Sequence, residues 1–232
     1  MKKYLVFSFD DGTTQDLRLI SLLKKFHLTA TFNLNTGLLG LSTDLSSLGI
    51  SANHIRLSAE QIRAGVYGGF ECSVHTLTHP LLTSLSDGEV IRQINTDAEN
   101  IFSLTGRRPN GMAYPGGGKD SFDDRTVELL KLNTDIKYAR VGETTGRFDF
   151  PDDFYRWKAT CSISDPALLT LCDKFLKEDK GLFFVWGHSF ELDEGNLWGD
   201  FERLLSVTSE QNDICCVSCG QMYDILTAKA AD

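Results

Sequence analysis

The feature of this sequence that most constrains its fold is the alternation of short apolar runs with longer segments of helical period. Apolar runs at 4–9, 30–34, 70–74, 111–113, 138–141, 182–186 and 214–217 predict strands. The segments 15–26, 87–104, 122–132, 167–177, 201–209 and 221–228 predict helices, and in 87–104 the apolar residues recur at three- and four-residue spacing. Alternating strands and helices are typical of a mostly parallel sheet with helices packed on it.

Seven predicted strands with intervening helices favour an α/β fold that resembles a distorted, incomplete (β/α)7 barrel more than an open doubly wound sheet. The number of strands alone does not separate these two architectures. A chain of 232 residues is within the range of α/β barrels that fold around one core, so we expect a single domain over residues 1–232. The stretch 36–60 is rich in Gly, Ser, Leu and Asn and predicts a long loop, a type of segment more often functional or mobile than structural.

The composition excludes several classes of protein. Hydrophobic residues make up 41% of the chain and charged residues 24%, which is typical of a globular protein. The net charge of −9 argues against a nucleic-acid partner, since such proteins concentrate Lys and Arg on one face. No apolar run approaches the roughly 20 residues of a membrane helix, and no signal peptide precedes the first strand. We therefore expect a cytoplasmic protein without a membrane partner, although a secreted chain that lacks its leader would look the same.

The cysteines do not predict a disulfide scaffold. Six of them, irregularly spaced, are too few for a chain of this size. Cys216 and Cys219 form one CxxC pair, which is weak evidence for zinc without a second pair. Together with Ile214 and Cys215 they predict a buried strand whose thiols act as small apolar core residues.

Two adjacent carboxylates, Asp10 and Asp11, follow the first predicted strand and precede Gly12. Two adjacent carboxylates repel each other unless a cation lies between them or one of them takes up a proton. The pattern therefore indicates a metal ligand beside a proton acceptor. The same residues could equally form a turn that caps the next helix.

A pair of histidines, His75 and His79, follows the third predicted strand. Two imidazoles four residues apart lie on one face if the segment makes a helical turn, and paired histidines of this kind commonly bind one zinc ion. We therefore predict a metal site here.

A glycine-rich loop, Tyr114-Pro115-Gly116-Gly117-Gly118, follows the fourth predicted strand. Glycines leave backbone N–H groups uncovered, and such donors stabilise a developing oxyanion. They could also bind a phosphate or form a wide turn, but the absence of a following Lys-Ser or Lys-Thr disfavours a phosphate loop.

His188 follows the apolar run 182–186, from which only Gly187 separates it. An imidazole at the end of a buried strand titrates near neutral pH and is suited to donate a proton. The alternative is a histidine that only packs in the core.

Taken in order, these motifs resemble the polysaccharide deacetylase family of the NodB-homology type, carbohydrate esterase family 4. The resemblance rests on the aspartate pair with its flanking Phe9 and Gly12, the two histidines, the Tyr-Pro-Gly loop and the late Trp186-Gly187-His188. Gly69 and Glu71 also match the family's pattern ahead of the histidine pair, and the resemblance spans residues 4 to about 226.

The resemblance implies a distorted barrel that holds one divalent ion, zinc first, with cobalt, manganese or nickel as alternatives. It implies that Asp11, His75 and His79 are the ligands. Asp10 would be the base, the Gly116 N–H the oxyanion donor and His188 the acid. The substrate would be an acetylated oligosaccharide or polysaccharide, with N- and O-acetyl groups not distinguished.

Two departures from the family pattern stand out. Many members have Arg where this chain has Ala113, and that Arg orients the base through an acidic partner; the sequence reveals neither residue here. Gly116 replaces the usual aromatic residue, which widens the cleft and suggests a subclass.

Several side chains near the expected mouth of the barrel are candidates for substrate binding. Aromatic rings pack on sugar rings, and polar groups beside them form hydrogen bonds. The candidates are Tyr114, Pro115, Trp186, Phe190, Glu191, Asp193, Asn196 and Trp198, all of which could instead pack within loops. The alternatives to a carbohydrate deacetylase are a hydrolase of a non-sugar amide, such as a ureide or formamide, and a non-catalytic carbohydrate-binding protein.

Overall fold

The computed structural model describes residues 2–118 and 120–228, and all strands found within them belong to one parallel sheet. The strands are β1 Lys3–Asp10, β2 Thr31–Leu34, β3 Glu71–Val74, β4 Gly111–Ala113, β5 Tyr138–Thr144, β6 Trp157–Ala159, β7 Cys161–Ser162, β8 Gly181–His188 and β9 Ile214–Cys216. The helices are α1 Asp16–Lys25, α2 Ala59–Arg63, α3 Asp87–Thr105, α4 Asp124–Asn133, α5 Leu168–Phe175, α6 Ser189–Glu194, α7 Trp198–Ser209 and α8 Cys219–Ala228.

The strands follow the order β6-β5-β4-β3-β2-β1-β8-β7, with β9 attached to β1. One edge of β1 pairs with β8 over its whole length, from Lys3 opposite Gly181 to Asp10 opposite His188. Its other edge is shared, because β9 pairs with the start of β1 and β2 pairs with its end. The order begins at β6 and ends at β7, so the sheet is an α/β barrel left open between these two strands.

The core explains why β1 lies at the centre of the sheet. All eight residues of β1 are buried, and its sequence KYLVFSFD alternates large apolar side chains between two packed faces. Phe7 and Phe9 point to one face, where both rings contact Phe201 of α7. Tyr4 and Val6 belong to a second cluster with Trp157 on the other face. Burial on both faces fixes the register of β1 and therefore the position of the residues that follow it.

Each predicted strand and helix is present, most of them with ends shifted by one to three residues, and the predicted parallel α/β barrel is confirmed. β6, β7, α2 and α6 were not predicted, because two to six residues are too few to establish a period. The prediction of a buried strand at 214–217 is wrong for Cys215, which is exposed. Among residues 2–118 and 120–228, β9 pairs only with β1, and its three residues are half-buried or exposed.

Across residues 2–118 and 120–228, no helix combines the length and the apolar composition that crossing a bilayer requires.

Candidate metal centre and active site

The chemically active side chains lie at the carboxyl ends of β1, β3 and β8. Parallel strands present these ends at one edge of a sheet, which is where α/β barrels place their sites. Asp10 and His188 are direct register partners on adjacent strands, and His75 follows the last residue of β3. Side chains separated by more than a hundred residues in sequence are therefore brought together by the sheet.

Asp11, His75 and His79 each offer one ligand atom, and these atoms all lie within 4.8 Å of one another. Residues 75–79 form an irregular bend and not a helical turn, and the two imidazoles still come together. Asp11, Thr76 and His79 adopt left-handed backbone conformations with φ of 74°, 64° and 57°. Such conformations are rare for residues other than glycine, and here they turn the ligand side chains toward a common point.

The atoms of this cluster fit a divalent cation. The Nδ1–H of His75 donates to the Ala113 carbonyl at 2.8 Å, so the lone pair of the neutral ring lies on Nε2. That Nε2 is buried and has no hydrogen-bond partner within the described residues. Burial, with His75 nearby, lowers the pKa of His79 to about 4, so this imidazole is neutral at physiological pH. Two imidazoles and a carboxylate are donors that suit zinc and related ions.

Asp11 itself is held in its ionised form. Burial favours the neutral acid, but the hydrogen bond from His54 and the positive charge of the nearby His188 outweigh it. The pKa of Asp11 is therefore well below its usual range. An ionised carboxylate is the form that binds a metal ion.

Asp10 is buried beside this cluster and accepts hydrogen bonds on both oxygens. Asn33 donates to Oδ1 at 2.8 Å, and Arg140 donates to Oδ2. Burial opposes ionisation, but the charge of Arg140, together with that of His188, overcomes it and lowers the pKa of Asp10. Asp10 is therefore a carboxylate at neutral pH, as the predicted base must be.

Arg140 is a candidate site residue that the sequence analysis missed. It lies on β5, directly opposite Ala113 of β4, and its side chain is 1% exposed. The guanidinium therefore comes from the strand next to the one where the family resemblance placed an arginine. It contacts Asp10 directly, and Trp186 covers it with the ring centroid 4.4 Å from Cζ. An arginine inside the apolar run 138–141 was the available signal, because a buried guanidinium needs a partner.

His188 is paired with Glu191, one turn into α6. Its Nδ1–H donates to Oε1 of Glu191 at 2.8 Å, while Nε2 lies 4.0 Å from Asp10 and 3.9 Å from Asp11. Burial alone would lower the pKa of His188, but Glu191, Asp11 and Asp10 together raise it to about 9. His188 thus carries a proton at neutral pH. The carboxylate of Glu191 bonds to His188, and the predicted contact of Glu191 with substrate stays a prediction.

The Tyr114-Pro115-Gly116 loop presents an uncovered N–H. Gly116 has a φ of 72° and is exposed, whereas Pro115 is buried. The N–H groups of Gly117 and Gly118 donate to Tyr114 and Gly116 carbonyls, but none of the hydrogen bonds within the described residues uses the Gly116 N–H. This donor has the freedom that the predicted oxyanion role requires, and the role itself stays a prediction.

The aromatic residues expected at the mouth are mostly enclosed. Tyr114 is 1% exposed and stacks on Phe122 at 4.4 Å. Trp198 is 6% exposed and donates its indole N–H to Asp193. Phe190 is 4% exposed, between the rings of His54 and His188. Packing encloses these three rings, and their predicted contact with a sugar stays a prediction. Trp186 keeps partial exposure beside His188.

Two further residues missed by the sequence analysis, His54 and Arg56, contact the ligand carboxylate. The His54 Nε2–H donates to Oδ2 of Asp11 at 2.8 Å, and Arg56 Nη2 lies 3.4 Å from Oδ1. Both come from the stretch predicted as a long loop. A histidine and an arginine two residues apart are a faint signal in a loop, because exposed charged residues are common there.

A family model described as polysaccharide deacetylase matches residues 1–136, more than half of the chain. A curated relative, the peptidoglycan-N-acetylmuramic acid deacetylase PdaC of Bacillus subtilis, is 29% identical over 136 residues. That match covers 57% of this chain and 25% of the relative, so the chain aligns with about a quarter of the relative's length.

Solved structures share the fold at lower identity. The structure of PdaC from Bacillus subtilis is 21% identical with a TM-score of 0.58, covering 99% of this chain and 94% of that one. An acetyl xylan esterase from Clostridium thermocellum, solved with a cobalt ion, is 16% identical with a TM-score of 0.61, covering 96% and 91%. A family pseudoenzyme from Bacillus anthracis is 17% identical with a TM-score of 0.63, covering 96% and 66%. The shared barrel, the clustered ligands and above all the family match lead to one conclusion, that this chain belongs to the polysaccharide deacetylase family.

Proposed function

We propose that this chain is a metal-dependent hydrolase that removes acetyl groups from an acetylated oligosaccharide or polysaccharide. The observation that carries the proposal is the convergence of Asp11, His75 and His79 beside an ionised carboxylate, Asp10, and a protonated imidazole, His188. Acid and base lie in one site with opposite protonation states, which hydrolysis requires. The relative named a peptidoglycan-N-acetylmuramic acid deacetylase supports the same class of substrate.

The proposed chemistry divides among this chain's own residues. A divalent cation held by Asp11, His75 and His79, zinc first, would act as a Lewis acid toward water and an acyl oxygen. Asp10 accepts the proton of the attacking water, and His188 donates its Nε2 proton to the departing amine or alcohol. The Gly116 N–H stabilises the oxyanion, a contribution of about 3 kcal/mol for a single donor.

The second candidate is a non-catalytic carbohydrate-binding protein, since a pseudoenzyme shares the fold. That protein has a mutant described as having restored enzymatic activity, so the barrel alone does not decide between the two. What favours an enzyme here is the complete set of side chains with the required chemistry. Arg140 strengthens this reasoning, because it compensates for the missing arginine at position 113.

The test is acetate release from a panel of N- and O-acetylated oligosaccharides, beside small amides such as ureides and formamides. The protein is stripped with a chelator and reloaded with zinc, cobalt, manganese or nickel. We expect metal-dependent release from at least one acetylated sugar and none from Asp10→Asn loaded with the same metal. Activity on the small amides alone would favour the non-sugar hydrolase, and stoichiometric sugar binding without turnover would favour the carbohydrate-binding protein.

A further inference from the structure

Residues 36–58, between β2 and α2, form a segment that borders the candidate metal centre and is called here the rim segment. Its last part, residues 54–57, is extended and bonded along both edges. On one edge it pairs with residues 41–43, and on the other with residues 12–14. The bonds are Thr43 N–H to His54 O, Arg56 N–H to Leu41 O, Thr14 N–H to Ile55 O and Leu57 N–H to Gly12 O, all 2.8–3.0 Å.

This extended backbone decides which side chains face the site. Successive residues of an extended chain point to opposite sides. His54 and Arg56 are 3% and 4% exposed and point inward, whereas Ile55 between them is 40% exposed and points outward. The rim segment therefore delivers one imidazole and one guanidinium to Asp11.

The rim segment is anchored at a second place, on α6. The carboxylate of Glu194 accepts from the N–H and hydroxyl of Ser51 at 2.9 Å each and from the Ala52 N–H at 2.6 Å. Within the segment, Arg56 Nη1 donates to Thr43 Oγ1 at 2.9 Å. The bonds to Glu194 hold the backbone just before His54, and the bond to Thr43 holds the side chain of Arg56. Both residues are therefore fixed where they contact Asp11.

The contacts divide the two oxygens of Asp11 between different partners. Oδ2 accepts from His54, while Oδ1 lies 3.9 Å from Nε2 of His75. A short charge-assisted hydrogen bond leaves an oxygen less electron density for a cation, and the bond from His54 to Oδ2, at 2.8 Å, is shorter than the 3.4 Å contact of Arg56 with Oδ1. The bond from His54 also restricts rotation of the carboxylate, so Oδ1 is the oxygen that faces the imidazoles.

We propose that His54 is a positioning residue of the metal centre, which holds Asp11 through Oδ2 so that Oδ1 binds the cation together with His75 and His79. Arg56 supports the same orientation from the Oδ1 side. The inference rests on the metal site of the proposed function but not on its substrate. Partners that orient a metal ligand in this way typically contribute 10–100-fold in metal affinity.

The ring of His54 allows a sharp test, because it uses only one of its nitrogens. Nδ1 is buried and has no hydrogen-bond partner within the described residues. His54→Gln places an amide N–H near the position of Nε2 and keeps the hydrogen bond to Asp11. His54→Asn places its amide near the position of Nδ1 and loses that bond. His27→Asn, at an exposed histidine remote from the site, is the matched control.

The measurements are the dissociation constants for Zn²⁺ and Co²⁺ by competition with a chromophoric chelator, and the visible spectrum of the Co²⁺ complex. We expect His54→Asn to weaken binding by about 10–100-fold and to change the Co²⁺ spectrum, with His54→Gln and His27→Asn close to wild type. Equal affinities and spectra for the Asn and Gln variants would overturn the positioning role of His54 and leave the metal site itself unaffected. A wild-type protein that binds neither ion would overturn the metal site and this inference together.

Discussion

Replacing Arg140 with methionine tests the buried pair that holds the candidate base. Methionine keeps the length and apolar stem of arginine but removes the charge and every hydrogen bond. Arg140 and Asp10 have side-chain exposures of 1% and 3%, so Arg140→Met leaves the carboxylate buried with Asn33 as its remaining side-chain donor. Removing one partner of a buried ion pair costs about 3–5 kcal/mol, and we expect a loss of this size in the free energy of unfolding.

A double-mutant cycle separates this pair from general packing. Urea unfolding is measured for wild type, Arg140→Met, Asp10→Asn and the double variant in the metal-free form. The double variant removes the unpaired carboxylate, so we expect it to be more stable than Arg140→Met by about 2 kcal/mol or more. Arg147→Met is the control, because Arg147 forms an exposed ion pair with Asp149 and its removal should cost no more than about 1 kcal/mol.

The pH dependence of Arg140→Met adds a second readout. Without the guanidinium, burial dominates and the pKa of Asp10 should rise above that of the unfolded chain. A raised folded-state pKa stabilises the protein at low pH and loses that contribution as pH rises. The variant should therefore regain stability relative to wild type as pH falls from 7 to 5. Equal stabilities of Arg140→Met and the double variant at both pH values would refute this account of the pair.

Two further predictions concern other titrating groups. Glu191→Gln removes a charge that, with Asp11 and Asp10, raises the pKa of His188 to about 9. The alkaline limb of kcat/KM for acetate release should therefore shift down by about one pH unit. Glu202→Gln is the control and should leave the limb unshifted. An unchanged alkaline limb would remove His188 from the role of acid. Burial raises the pKa of Asp16 from 3.8 to about 7. The neutral acid therefore contributes to the free energy of unfolding at low pH, and this contribution is lost as the pH rises through 7. Between pH 5.5 and 8.5, wild type should lose about 2 kcal/mol of stability relative to Asp16→Asn. A constant difference between the two unfolding free energies across that range would contradict this pKa.

The sequence alone predicted the parts of the site that depend on local pattern. The apolar run before Asp10 and the one before His75 identified strands, and parallel strands present their carboxyl ends at one edge. The candidate ligands could therefore be placed together without coordinates. The structure brings Asp11, His75 and His79 within reach of one ion, the set that the family resemblance implied.

The sequence could not predict residues whose position depends on how distant segments pair. Arg140 reaches Asp10 across 130 positions because β5 pairs with β4 in a register that local pattern does not reveal. His54 reaches Asp11 across 43 positions because the rim segment folds back along residues 12–14. Enclosure of Tyr114 and Trp198 likewise follows from packing between helices and loops.

Period and strand-end chemistry are properties of neighbouring residues, and these predicted the fold class and the position of the candidate site, while the family resemblance supplied the candidate ligands. Register, burial and the partners of buried charges arise from contacts between segments far apart in the chain. Only the tertiary structure therefore shows which arginine contacts the candidate base, which histidine contacts the candidate ligand carboxylate and which aromatic rings are closed to solvent.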